Sequence, residues 1–303
     1  MLLLFQKGKA MTARILSGTE IAKEIRKELK VEIDELKAKH GITPGLAVVL
    51  VGEDPGSQVY VRNKIKTCET LGVKSLEYRY AADYPESDLL ALIDKLNQND
   101  EVHGILVQLP LPKHISEEKV LLRIRPDKDV DGFHPTNVGK MLIGNPDFLP
   151  CTPYGCQQIL VRSGIETEGK EVVVVGRSNI VGKPVAAILV QKAKGANATV
   201  TICHTRTKNM KEHTLRADIL IVAAGKPKAI TADMVKPGAV VIDVGVNRLG
   251  KTAEGKDILC GDVDFESVKE KASAITPVPG GVGPMTITML MMNTLRSAKM
   301  RIR

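Results

Sequence analysis

Short runs of Val, Ile and Leu, each closed by a glycine or a proline, recur along the chain and alternate with stretches of helical spacing. Leu46–Val51 runs into Gly52, and Val172–Val175 runs into Gly176. Such runs lack polar alternation, so both faces of the strand must be covered. A parallel sheet flanked by helices provides that cover. Between the runs, a helix is expected from a cap at Ser57 to about Leu71, ended by Gly72. Strand-like Lys74–Tyr80, helix-like Ser87–Asn97 and a buried strand at His103–Pro110 follow. Pro, Asn and Gly gather over 146–153 and mark a boundary. After a helix at Tyr154–Ser163, strands are expected at Glu171–Val175, Thr199–Cys203, Ile219–Ala223 and Ala239–Val244. A Met/Leu-rich helix from Gly283 closes the chain, its apolar spacing suiting a return onto the first half. The expected architecture is two α/β domains. The first comprises 11–150 plus the terminal helix 285–303, and the second 151–284. Met1–Phe5 is too short an apolar run for a secretory leader, and Lys7 and Lys9 follow at once. Residues 1–10 are therefore read as a non-functional extension, with Met11 as the start.

The chain has 303 residues, no Trp and only 3% aromatics, so its core must be aliphatic and base stacking on aromatic platforms is disfavoured. The net charge of +8 fits either an anionic partner or a solvated basic surface. No run of five Lys/Arg occurs, which argues against a nucleic-acid arm. Cys68, Cys151, Cys156, Cys203 and Cys260 are odd in number and fit neither a zinc site nor a CxxC pair, so no metal is expected and reduced thiols of a cytoplasmic protein are. No apolar stretch is long enough to cross a membrane.

Val172-Val-Val-Val-Gly176 passes into Arg177-Ser178-Asn-Ile-Val-Gly182, a strand, a glycine turn and a helix start. Amides at such a start can bind phosphate, and a plain strand-to-helix turn reads the same way. The strand Thr199–Cys203 ends in His204-Thr205-Arg206, without the acid that would hold an NAD ribose. Arg177, Thr205 and Arg206 offer cationic and hydroxyl donors instead, which favours NADP. Each arginine could equally be a surface charge.

The helix from Ser57 carries Tyr60, Lys64 and Thr67 on one expected side, with Val61, Ile65 and Cys68 as its apolar face. Tyr60 and Lys64, four residues apart, are neighbours. A lone helix lysine is ordinarily solvated. Gln108, polar at an apolar strand end, must be tied to backbone or aimed at a ligand. Asp129 and Asp131 form a polar turn or a carboxylate pair. Thr276–Thr286 is rich in Gly and Pro and suits a ligand wall or an ordinary loop.

Together Tyr60-x-x-x-Lys64, Val107-Gln-Leu-Pro-Leu111, Lys128-Asp-Val-Asp-Gly132, Pro150-Cys-Thr-Pro153, Val175-Gly-Arg-Ser178 and Pro277–Pro284 resemble the bifunctional methylenetetrahydrofolate dehydrogenase/cyclohydrolase family, from about Arg14 to the end. The resemblance implies a Rossmann-like second domain and two reactions in one cleft between the domains. Hydride passes from 5,10-methylenetetrahydrofolate to NADP, and the methenyl product is hydrolysed to 10-formyltetrahydrofolate. It implies catalytic roles for Lys64, Tyr60, Gln108 and Asp131. Folate contacts are implied at Tyr60, Lys64, Gln108, Leu109, Asp131, Pro279, Gly280 and Gly283. Cofactor contacts are implied at Gly176, Arg177, Ser178, Thr205, Arg206 and Val246. A homodimer is implied by the same likeness. A dehydrogenase with weak cyclohydrolase activity would carry the same motifs. A regulator that only binds folate or nucleotide is disfavoured by the intact Lys64, Gln108 and Asp131.

Overall fold

The computed structural model describes residues 12–252, 255 and 257–302; the expected extension 1–10 and the start at Met11 lie outside them. Strand β1 (Arg14–Ile15) and helix α1 (Gly18–His40) lead into β2 (Gly45–Val51), α2 (Pro55–Leu71), β3 (Lys74–Tyr80), α3 (Glu86–Gln98) and β4 (Gly104–Val107). Helices α4 (Glu117–Arg123), α5 (Pro135–Leu142) and α6 (Cys151–Arg162) follow. Then come β5 (Glu171–Val175), α7 (Gly182–Leu189), β6 (Thr199–Cys203), α8 (Met210–Thr214), β7 (Ile219–Val222) and β8 (Val240–Asp243). The chain ends with β9 (Asn247–Lys251), β10 (Asp257–Cys260), α9 (Phe265–Val268), β11 (Ala274–Ile275) and α10 (Val282–Lys299).

The apolar runs form two parallel sheets, ordered β3-β2-β4 and β1-β11-β8-β7-β5-β6. Every residue of β2 is buried, as a strand covered on both faces requires. Two features depart from expectation. Arg14 and Ile15 pair with Ala274 and Ile275, so the chain's start joins the second sheet rather than the first domain. Two-residue strands carry no periodicity to read. The antiparallel hairpin β9–β10 also went unexpected, because its exposed residues lack an apolar alternation.

Helix starts are set by local chemistry. Asp54, not Ser57, caps α2: its carboxylate accepts the Ser57 N–H at 2.7 Å, and Pro55 takes the first turn. Helix α6 begins at Cys151, three residues earlier than expected, with Pro153 in its first turn.

One hydrophobic cluster runs through both halves, from Ile25 and Val48 through Met285 and Met289 to Val172 and Ile221, and a further cluster covers the other face of each sheet. Helix α10 lies within the first cluster against α1 and α6. Two of its polar residues are spent on backbone: Asn293 Nδ2 donates to Val130 O at 2.8 Å and Leu149 O at 2.9 Å. Ser297 Oγ donates to His103 O at 2.6 Å and Asp127 O at 2.8 Å. In both sheets the consecutive strand–helix series, which leaves out the edge strand β1, reverses its direction of growth at the first strand of the series. In the first sheet β3 and β4 flank β2; in the second β6 and β7 flank β5. Ligands of such sheets sit at the carboxyl ends of strands where this reversal occurs. Gln108 follows β4 at one such point, and Gly176 follows β5 at the other.

Candidate active site

Lys64 occupies the middle of the buried stripe of α2, with Ser57, Val61, Cys68 and Leu71. The expected grouping with Tyr60, opposite Val61 and Cys68, is corrected: only 7% of Lys64 is exposed, and it shares their face. Ile65, expected on the apolar face, is only partly buried. Burial pushes the Lys64 ammonium below its ordinary range, and the neighbouring Asp131 carboxylate opposes that shift. Its Nζ donates to Gln108 Oε1 at 2.8 Å. The amide nitrogen of Gln108 donates to Leu109 O at 2.6 Å, which turns the oxygen toward the lysine.

Burial raises the Asp131 carboxyl, while Lys64 and a hydrogen bond from Cys151 draw it down. The single S–H of Cys151 is shared between Asp131 and Val130 O, 3.3 Å from its sulfur, and its buried thiol is held well above the usual thiol range. The other members of this turn are structural. Asp129, pushed up to about 6 by burial, accepts from His134 N, Phe133 N and Asn137 Nδ2. Lys128, 2% exposed, donates to Leu96 O and Asn99 O at the carbonyl end of α3. Lys64, Gln108, Asp131 and Cys151 thus form one polar cluster beneath α2, with Lys64 and Cys151 buried and Gln108 and Asp131 partly exposed.

Tyr60 points elsewhere. It lines a cavity of about 780 Å³ between α2, the 277–284 loop and the β9–β10 hairpin, together with Pro279, Gly280, Gly283 and Val246. Its phenol is held above its usual range by burial, although the residue is 36% exposed. Lys64, Gln108, Leu109 and Asp131 are not on the cavity wall. Lys64 turns instead toward Gln108 and the Asp131 turn. Asn63 and Thr67, on the neighbouring turns, share the Tyr60 wall. Of the loop glycines, Gly281 is the one in close approach: a Cβ on it would lie 2.5 Å from Pro277 O. Gly280 is needed for its φ of 98°, and Gly283 has open space around it.

On the second sheet, β5 and β6 pair in register, Val175 opposite Cys203. This brings Gly176, Arg177 and Ser178 beside Thr205 and Arg206, all exposed apart from the partly buried Gly176. A Cβ on Gly176 would lie 2.2 Å from Ala223 O, so only glycine lets the turn pass that close to the β7 end. The amides left open at this turn differ from those expected at the helix start. Ser178 Oγ accepts from Val181 N at 3.1 Å and Gly182 N at 3.3 Å, and Ser178 O from Lys183 N. The amides of 177–180 are the ones with no acceptor among the described residues, and these residues are exposed, as is Arg206. Exposed amides and cations without an acid fit a phosphorylated dinucleotide. Val246, expected with this group, instead follows β8, two strands from β5, on the cavity wall.

Sequence reasoning gave Cys151 and Asn293 no role and missed the Asp54 cap. Asn293 could have been noticed as an amide inside a Met/Leu stripe, a setting where a polar side chain needs partners. Among the described residues no group of His, Cys, Asp or Glu is placed to hold a metal ion.

Comparison with known proteins agrees with this arrangement. The sequence profile of the tetrahydrofolate dehydrogenase/cyclohydrolase catalytic domain matches residues 16–131, and that of the family's NAD(P)-binding domain matches 150–302. The second match takes in α10. The chain is 64% identical over 289 residues to "Bifunctional protein FolD" of Syntrophobacter fumaroxidans, covering 95% of this chain and 98% of that one. The crystal structure of the Campylobacter jejuni enzyme FolD, a methylenetetrahydrofolate dehydrogenase/cyclohydrolase, superposes with a TM-score of 0.89 at 51% identity, covering 96% of this chain and all of that one. The Trypanosoma brucei enzyme, solved with NADP cofactor and inhibitor, gives 0.92 at 38% identity, covering 97% and 99%. The chain belongs to the bifunctional tetrahydrofolate dehydrogenase/cyclohydrolase family.

Proposed function

We infer that this protein oxidises 5,10-methylenetetrahydrofolate to 5,10-methenyltetrahydrofolate with NADP and then hydrolyses the product to 10-formyltetrahydrofolate. The observation that carries the chemical reading is Lys64, a buried amine 2.8 Å from Gln108 Oε1 with Asp131 beside it.

The oxidation asks chiefly for placement. A ring-nitrogen lone pair assists departure of hydride from the methylene carbon, so no strong acid or base is needed, and holding the two partners in line supplies several kcal/mol of the barrier, roughly. NADP, when bound, accepts that hydride. The protein's part is to fix the folate: Tyr60 and the Pro279–Gly283 loop wall one side, Leu109 follows Gln108 at the strand end, and Asp131 accepts hydrogen bonds from pterin N–H groups. Gly176, Arg177, Ser178, Thr205 and Arg206 hold the dinucleotide, and Val246 borders the cavity it approaches.

The hydrolysis needs proton handling. Burial enlarges the neutral fraction of Lys64, and the methenyl cation, a second positive charge nearby, enlarges it further. The neutral amine takes a proton from water as its oxygen bonds to the methenyl carbon. That proton passes to the ring nitrogen as the carbon–nitrogen bond breaks, and overall one proton is released. Gln108 keeps the amine aimed, because its own amide is anchored to Leu109 O.

The same reading makes the protein a cytoplasmic homodimer without nucleic-acid partners. The described residues contain no helix long and apolar enough to cross a membrane, and light scattering of the purified protein tests the dimer. The function is tested by absorbance. Methylenetetrahydrofolate with NADP is expected to yield NADPH and a methenyl band that then decays; absence of NADPH formation overturns the reading.

A further inference from the structure

Arg26 of α1 lies in the wall of the large cavity, partly buried, and no carboxylate among the described residues pairs with it. Its neighbours are neutral. Nε donates to Thr288 Oγ1 at 2.9 Å and Nη2 to Pro284 O at 3.3 Å. These two bonds use one edge of the guanidinium and clamp its plane. The other edge, one N–H from each Nη, has no acceptor among the described residues. Such a fork matches a carboxylate in two parallel hydrogen bonds. Burial lowers the Arg26 pKa without any anion to offset the cost, which marks a cation held ready for an external charge.

The other cations of the cavity wall differ in their pairing. Arg248, at the hairpin end, is already paired with Asp257 at 2.9 Å. Lys66, exposed on the α2 wall, has no ion pair among the described residues. Arg26 and Lys66 are therefore the cations of this wall with no carboxylate partner among the described residues.

We propose that Arg26 is the carboxylate-binding, specificity-determining residue of this cavity, taking the glutamyl tail of the folate substrate with Lys66 at the rim. The inference rests on the folate reading above and adds a subsite to it. With the pterin at Asp131 and the aromatic linker passing Tyr60, the tail's two carboxylates enter the cavity. A longer anionic chain extends past Arg26 toward Lys66.

The test compares methenyltetrahydrofolate with its tetrahydropteroate counterpart, which lacks the glutamate, in the parent, Arg26→Gln and Arg26→Lys proteins. In the parent, the tail-less form is expected to show a KM roughly ten-fold higher at similar kcat, the scale of one charge-assisted contact. Arg26→Gln is expected to raise KM about ten-fold for the glutamyl substrate only. KM for the tail-less form and for NADP stays put, and kcat is unaffected. Arg26→Lys restores the charge but not the fork and recovers part of the loss. An equal KM rise for both substrates means a structural role for Arg26 and overturns the proposal, as does no rise for either. A parent protein inactive on both substrates would instead bring down the folate reading.

Discussion

At the scale of single residues, the site is set by a buried ammonium beside a partly buried carboxylate. Lys64 replaces an apolar residue in a core stripe, and its lowered pKa follows from that position. Lys64→Met fits the stripe sterically, so the variant is expected to fold and bind NADP while cyclohydrolase activity falls to background. Hydrolysis of methenyltetrahydrofolate at the parental rate would exclude the role given to this amine. Because Lys64 draws the raised Asp131 carboxyl down, the same variant should raise Asp131 further, visible as a higher-pH limb in substrate binding. Lys128 is a buried lysine of the opposite kind. Its ammonium is pushed down to about 8 while it bonds two carbonyls at the end of α3. A depressed folded-state pKa means stability is fully present above the ordinary lysine range and is lost as pH falls through about 8. Measured against Lys128→Met, the parent should therefore gain stability between about pH 8 and 10.5, by at most about 3 kcal/mol. A flat difference across that interval would contradict the burial argument.

At the scale of elements, α10 is the piece that connects cofactor domain, core and site. Its Asn293 holds the carbonyls of Val130 and Leu149, the residue before Asp131 and the residue before the Pro150 that leads into Cys151. Asn293→Leu suits the apolar helix but leaves Leu149 O without its donor, a loss of about 2 kcal/mol. We expect a lower denaturation midpoint at unchanged m-value, a raised KM for folate and an unchanged KM for NADP. A raised KM for both substrates would mean that α10 supports the whole cleft rather than the Asp131 turn. The elements themselves were legible to different degrees. Strands β2, β4, β5 and β7 announced themselves because each is buried on both faces and written in aliphatic residues. Strands β1 and β11 did not, being two residues long, and β9–β10 did not, being exposed. The facing of Lys64 was available in principle, since 57, 61, 64, 68 and 71 recur at helical spacing. A charged residue in that register reads as solvated until the fold closes over it.

At the scale of the whole molecule, two switch points face their chemistry from separate sheets, and the shared core sets their separation. The motifs on each sheet were readable in sequence. The facing of Tyr60 was not: it lines a cavity that Lys64 does not, a difference between helix neighbours that arises only once α1, α2 and the 277–284 loop are packed. Cofactor choice is a property of the second sheet's edge. Strand β6 ends without an acid, and Arg177 and Arg206 are exposed beside the free amides of 177–180. An arginine on a phosphate contributes about 1.5–3 kcal/mol when hydrogen-bonded, roughly ten-fold or more in affinity for each contact. The double variant Arg177→Gln/Arg206→Gln should therefore raise KM for NADP by about 100-fold or more if both arginines touch the phosphate, and about ten-fold if one does. KM for NAD, which lacks that phosphate, should hardly move, and neither should cyclohydrolase activity, which proceeds on the folate side. A parallel rise for NAD would mean the arginines shape the turn rather than read the phosphate. Ser178 then becomes the discriminating position, since its hydroxyl alone holds the amides of Val181 and Gly182. Ser178→Ala should weaken both dinucleotides equally, by loosening the turn that presents them.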